Sequence, residues 1–169
     1  MARIVIVGCG YVVLELGRQL RRTEHEVTGV RRSDAGLDAV EDAGLEPHRA
    51  DATDPGSLSS LPDAEWVVFA ASSGGRGADA ARAVYVEGLE NVIEEYAGRS
   101  SSPDRLVYTS STGVYGDHDG AFVDEDTPSD PKTEKTEVLA DAERIARETA
   151  ADAGIDGTVA RFAGLYGPD

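Results

Sequence analysis

The sequence predicts an α/β fold: a three-layer domain in which a doubly wound parallel sheet of about six strands lies between helices. Three observations predict it. Short apolar runs alternate with longer helical stretches, glycines punctuate the strand-to-helix turns and helix ends, and no segment repeats. Strands separated by helices pair in parallel, because the chain must cross over before the next strand begins.

Ile4 to Val7 is an apolar run short enough for a buried strand. It ends in Gly8-Cys9-Gly10 and passes into a helix spanning roughly Tyr11 to Arg22. His25 to Val30 reads as strand two, Asp34 to Ala43 as a short helix closed by Gly44, and Leu45 to Arg49 as strand three. Glu65 to Ala71, with Trp66-Val67-Val68-Phe69, is strand four. A Ser/Gly-rich loop from Ser72 to Gly77 leads to a long helix ending near Gly98. Leu106 to Ser110 is strand five, Asp117 to Pro131 a polar loop, Lys132 to Ala153 a helix stopped by Gly154, and Ile155 to Phe162 strand six.

An open sheet of this kind binds ligands beyond the carboxyl ends of its strands. The loops there are Gly8 to Gly10, Arg31 to Ser33, Asp51 to Asp54, Ala70 to Gly75 and Ser110 to Gly116. A strand, a glycine turn and a helix start form the geometry that meets a pyrophosphate. Gly8, Cys9, Gly10, Tyr11 and Val12 are therefore expected at a nucleotide cofactor. The dinucleotide fingerprint G-x-G-x-x-G has Val13 in place of its third glycine, which predicts a helix set slightly outward with the anion site retained. The bland reading of two such glycines is a simple βα turn.

At the end of strand two, Arg31, Arg32 and Ser33 offer two guanidiniums and a hydroxyl, with no carboxylate. These groups favour the 2′-phosphate of NADP, while nearby Asp34 leaves NAD open. Asp51 and Ala52 follow strand three, where a carboxylate can accept from an adenine amino group or simply form a turn. Ala70, Ala71 and Ser72 are small where a cofactor passes the backbone.

The 169 residues carry 16 basic and 32 acidic side chains, a formal charge of −16. Nucleic acid and anionic membrane surfaces are thereby unfavourable partners. The acid is dispersed and the only lysines are Lys132 and Lys135, a surface resembling that of salt-in halophiles. One cysteine excludes an internal disulfide and fits a reducing cytoplasm. No signal-peptide or membrane-spanning pattern is visible, and His25, His48 and His118 lack metal-ligand spacing. No phosphate loop of the G-x-x-x-x-G-K-[ST] type occurs.

Four segments together resemble the extended short-chain dehydrogenase/reductase family, the NAD-dependent epimerase/dehydratase group, in an atypical form. They are Gly8-Cys9-Gly10, the Asp51 turn, Val67 to Ser73, and Leu106 to Gly116; Arg161 to Pro168 is also similar to the segment that closes the family's sixth strand. The resemblance implies a Rossmann-like NAD(P)-binding domain over residues 1–169. It also implies that Ser111 hydrogen-bonds the reacting hydroxyl or carbonyl. Homodimers of the family pair helices, here 78–96 and 132–153.

Two departures stand beside it. The family's Tyr-x-x-x-Lys pair, in which lysine lowers the phenol pKa, is replaced by Thr133 and Glu137. Tyr115, Lys132 and Lys135 remain as candidate proton donors. Extended members also carry a C-terminal substrate domain, which this chain lacks, so a fragment or a cofactor domain completed by a partner is expected. Three function classes follow: an NAD(P)-linked oxidoreductase or epimerase acting on a carbonyl or sugar-nucleotide-like substrate, a non-catalytic NAD(P)-binding or redox-sensing module, and, resting on Val13, a scaffold that uses this fold without cofactor.

Overall fold

Ile4, Val5, Ile6 and Val7 are each at most 2% exposed, because the strand they form is covered on both faces. The computed structural model describes residues 1–74 and 77–167; Gly75 and Arg76 of the loop after the fourth strand, and Pro168 and Asp169, lie outside the described residues. The strands are β1 (Arg3–Val7), β2 (Glu26–Arg31), β3 (Glu46–Arg49), β4 (Trp66–Phe69), β5 (Arg105–Ser111) and β6 (Asp156–Phe162). They form one parallel sheet in the order β3-β2-β1-β4-β5-β6. The order reverses between β1 and β4, which opens a crevice at their carboxyl ends.

Helices α1 (Tyr11–Arg22) and α2 (Asp34–Asp42) cover one face with Val13, Val40 and Leu45. On the other face lie α3 (Pro55–Leu58), α4 (Ala78–Arg82), α5 (Gly88–Ala97) and α6 (Glu134–Asp152), packed over Val5, Phe69, Leu106 and Tyr108. The expected long helix after β4 is α4 and α5 joined without a break by a π-helical turn, Ala83–Glu87. The turn keeps Ala81 before it, Val84 and Val86 within it, and Leu89, Val92 and Tyr96 after it buried.

Three further short elements differ from the sequence reading, each set by a local hydrogen bond or turn rather than by an apolar pattern. Asp54 caps α3 by accepting from the Gly56 amide at 3.1 Å. Ser111 caps a 3₁₀ turn, Thr112–Tyr115, by accepting from the Gly113 amide at 3.1 Å. A second 3₁₀ turn, His118–Gly120, interrupts the loop read as irregular.

Val13 was expected to set α1 outward. Its side chain is 5% exposed and packs with Ile4, Ile6, Val27 and Val68. The tight approach falls one turn later, at Gly17, where a Cβ would stand 2.5 Å from Leu45 Cδ1.

Candidate functional site

The glycine turn is built to bring backbones together. Gly8 has φ +84°, and a Cβ there would lie 2.2 Å from Ala71 Cα. The Gly8 and Cys9 amides both donate to the Val30 carbonyl at 3.2 Å, and the Gly10 amide donates to Gly8 O at 2.7 Å. The Gly8 and Cys9 donors are thus consumed in tying β1 to β2, and that of Gly10 within the turn. What remains for a ligand is the start of α1, where Gly10 provides no side-chain cap and no acid occupies the first turn.

These elements enclose a cavity of about 410 Å³ at the switch point, lined by Gly8, Gly10, Arg31, Arg32, Ser33, Asp51, Ala52, Ala70, Ala71 and Ser72 among others. Ten of the residues singled out from sequence converge there. Cys9 does not line it: the side chain is 1% exposed and packs behind the turn against β2, and burial pushes its thiol up to about 11, against a smaller opposing effect of Arg31. Tyr11 is 67% exposed and Val12 is also exposed, and neither side chain lines the cavity.

Arg31 reaches over the turn, since a Cβ on Gly10 would stand 3.3 Å from its Nη1. Among the described residues its guanidinium has no hydrogen-bond or ion-pair partner. Arg32 Nη1 faces Asp51 Oδ2 at 3.6 Å. Asp34, the acid near this loop, is paired with Arg49 and stands outside the cavity. Ser33 caps α2, accepting from the Gly36 amide at 3.2 Å. Asp51 serves both roles foreseen for it, forming a turn through Thr53 while lining the cavity. Burial resists its ionisation, yet the Thr53 amide and hydroxyl and the Arg32 charge together hold its carboxyl below the usual range.

A second cavity of about 410 Å³ adjoins the first through Ala70, Ala71 and Ser72. Ser111 lines it, half-buried at the end of β5. Because Ser111 Oγ already accepts from the Gly113 amide, its proton is left for another acceptor. Ser110 lines the same space, and its Oγ is buried without a hydrogen-bond partner.

Tyr115 is not brought to Ser111's cavity. Its hydroxyl donates to the Asp124 carbonyl at 2.7 Å, the Arg161 guanidinium stacks 4.5 Å from its ring centroid, and it lines a third hollow with Arg147 and Arg161. Thr133 and Thr136 line the second cavity but cap α6 reciprocally. Glu137 is exposed and does not line it. Lys132 is ion-paired with Asp130 at 2.5 Å, whereas Lys135 does line the cavity.

One lining residue was missed from sequence: Tyr85, on the π-helical turn. Nothing in the local pattern marks it; Val84 beside it lines the first cavity and Tyr85 the second. Its phenol lies within electrostatic reach of Tyr108, whose hydroxyl is pushed up by burial first and by Tyr85 second. Among the described residues no three His, Cys, Asp or Glu side chains converge as a metal site, and no helix is long and apolar enough to cross a membrane.

Comparison with known proteins adds the following. The model of the NAD-dependent epimerase/dehydratase family matches residues 4–169. The Escherichia coli K12 protein YeeZ is 29% identical over 175 residues, covering 99% of this chain and 60% of its own. A solved structure from Methylobacillus flagellatus, assigned as an NAD-dependent epimerase/dehydratase, is 34% identical with a TM-score of 0.80, over 99% of this chain and 56% of that one. A functionally unknown conserved protein from Silicibacter pomeroyi is 28% identical with a TM-score of 0.77, over 99% and 54%. The chain therefore spans somewhat over half the length of these relatives.

Proposed function

The chain belongs to the NAD-dependent epimerase/dehydratase family, and on that premise we propose that it is the NAD(P)-binding Rossmann domain of an oxidoreductase or epimerase acting on a carbonyl or sugar-nucleotide-like small molecule. The observation that carries this reading is the junction of two cavities: one at the switch point, with an uncapped helix start and an unpartnered arginine, and one holding Ser111.

The residues present fit an anionic dinucleotide. The start of α1, approached by Gly8 and Gly10, would face the pyrophosphate with the backbone of Tyr11 and Val12, and Ala70, Ala71 and Ser72 would let it pass close to the backbone. Asp51, with Ala52 beside it, would accept from the adenine amino group. Arg31, Arg32 and Ser33 would hold a 2′-phosphate, which makes NADP the preferred cofactor over NAD; the pairing of Asp34 with Arg49 removes the nearby competing acid. Bound there, the nicotinamide supplies hydride transfer. The Ser111 hydroxyl would donate a hydrogen bond to the substrate oxygen, polarising the bond.

One observation favours a second reading, a non-catalytic NAD(P)-binding or redox-sensing module: Thr133 is absorbed in a helix cap and Glu137 stays outside the cavity. The buried Cys9, its thiol held protonated, speaks against that cysteine as the sensor. The same family reading carries a homodimer through helices 78–96 and 132–153, and the single cysteine and dispersed acidic surface suit a cytoplasmic, salt-adapted setting.

Calorimetric titration with NADPH and NADH in molar KCl tests the proposal. NADPH is expected to bind more tightly, and replacing Arg31 and Arg32 with alanine to weaken it at least about tenfold while changing NADH little. Failure of both cofactors to bind would sink the reading.

A further inference from the structure

The cavity around Ser111 contains a phenol and an ammonium that reach it from two different elements. Tyr85 enters from the π-helical turn and Lys135 from the first turn of α6, and neither hydroxyl nor ammonium has a hydrogen-bond or ion-pair partner among the described residues. Every other candidate proton donor is engaged elsewhere. The Thr133 hydroxyl is in the cap, the Tyr115 hydroxyl is on Asp124, and Lys132 is on Asp130. The buried, unpartnered Ser110 Oγ marks the same space as one that a polar ligand or water completes.

Resting on the function proposed above, we infer that Tyr85 is the acid–base residue of this site, with Lys135 the cation that stabilises its phenolate and Ser111 the group that orients the substrate oxygen. In the reducing direction the carbonyl carbon receives hydride from a reduced nicotinamide dinucleotide. The Tyr85 O–H bond breaks as the new O–H bond forms on the substrate oxygen, leaving an alcohol and a phenolate that water reprotonates. In the reverse direction the phenolate takes the hydroxyl proton. Such a group is worth about 100- to 10,000-fold in rate. The π-helical turn thus has a chemical use, since it aims Tyr85 at the cavity while its neighbour Val84 lines the cofactor side.

The test uses the chain with 9,10-phenanthrenequinone as carbonyl probe and NADPH as reductant. Tyr85→Phe is expected to lower kcat at least about 100-fold with NADPH affinity unchanged, and Lys135→Met to lower it as well. Tyr115→Phe and Lys132→Met are expected to retain it. A readout independent of turnover is the infrared carbonyl stretch of the quinone bound beside NADP⁺, lower in the wild-type protein than in Tyr85→Phe. Near-UV circular dichroism checks that Tyr85→Phe is folded; should it not be, exposed Lys135→Met and the wild-type carbonyl stretch still decide. Unchanged kcat and stretch in Tyr85→Phe would overturn the assignment. So would a wild-type chain that binds NADPH but neither reduces the quinone nor shifts its carbonyl, and that result leaves the cofactor site standing. Absence of NADPH binding removes both.

Discussion

Arg161 grips the Glu143 carboxylate with two donors, Nε at 3.0 Å and Nη2 at 2.7 Å, and Glu143 is 1% exposed. This pair ties α6 to β6 and also carries the guanidinium that stacks on Tyr115. A buried charge that loses its hydrogen-bonded partner is expensive. Arg161→Met should therefore destabilise the protein by about 3–5 kcal/mol, read from urea unfolding. Arg147→Met, whose half-exposed guanidinium stands 3.7 Å from the same carboxylate, should cost no more than about 1 kcal/mol.

Gly8→Ala is expected to damage fold and site together. A left-handed backbone angle and the Ala71 backbone both exclude a methyl group. The loss of stability should exceed about 1 kcal/mol, and NADPH binding should disappear with it. Thermal unfolding and calorimetry on the same variant check the two effects.

His48 provides a pH dependence of known sign. Burial holds its pKa below the ordinary 6.5 in the folded protein, so the unfolded chain binds the proton more readily. Its contribution to stability is present above pH 6.5 and is lost as pH falls toward the folded-state value. The urea midpoint should fall from pH 7.5 to 5.5, and fall less in His48→Gln, which keeps a partner for Ser60 Oγ at 3.1 Å.

The charge of −16 predicts a salt response. Exposed like charges repel over a Debye length of about 10 Å at 0.1 M salt and about 3 Å at 1 M. The melting temperature should rise steadily from 0.1 to 2 M KCl; a flat or falling curve would show that self-repulsion is unimportant here.

The centre of the sheet was legible in the sequence because β1 and β4 are contiguous apolar runs, and Gly44 and Gly154 mark the ends of the helices before β3 and β6. α1 begins and ends as the pattern predicts, β1 starts one residue earlier, at Arg3, and Gly8, Arg31, Asp51 and Ala71 meet in one cavity because all lie at or just beyond strand ends. Tyr85 was not legible, since its direction depends on one extra residue in a helical turn. Tyr115 was misplaced for a related reason. The 3₁₀ turn after Ser111 directs it toward Asp124, and a run of residues shows spacing but not the sense in which a short turn winds.

The π-helical turn also acts as a phase shifter. In a regular α-helix each residue advances the side-chain direction by about 100°. With the same residues wound as a regular α-helix between Ala83 and Glu87, α5 would turn by about that angle and swing Leu89, Val92 and Tyr96 off the sheet face they now cover; the wide turn absorbs the extra residue and keeps them in place. The irregular turn is thus bound to the sheet below it, and a further single-residue insertion in α5, which no second wide turn absorbs, is predicted to be poorly tolerated.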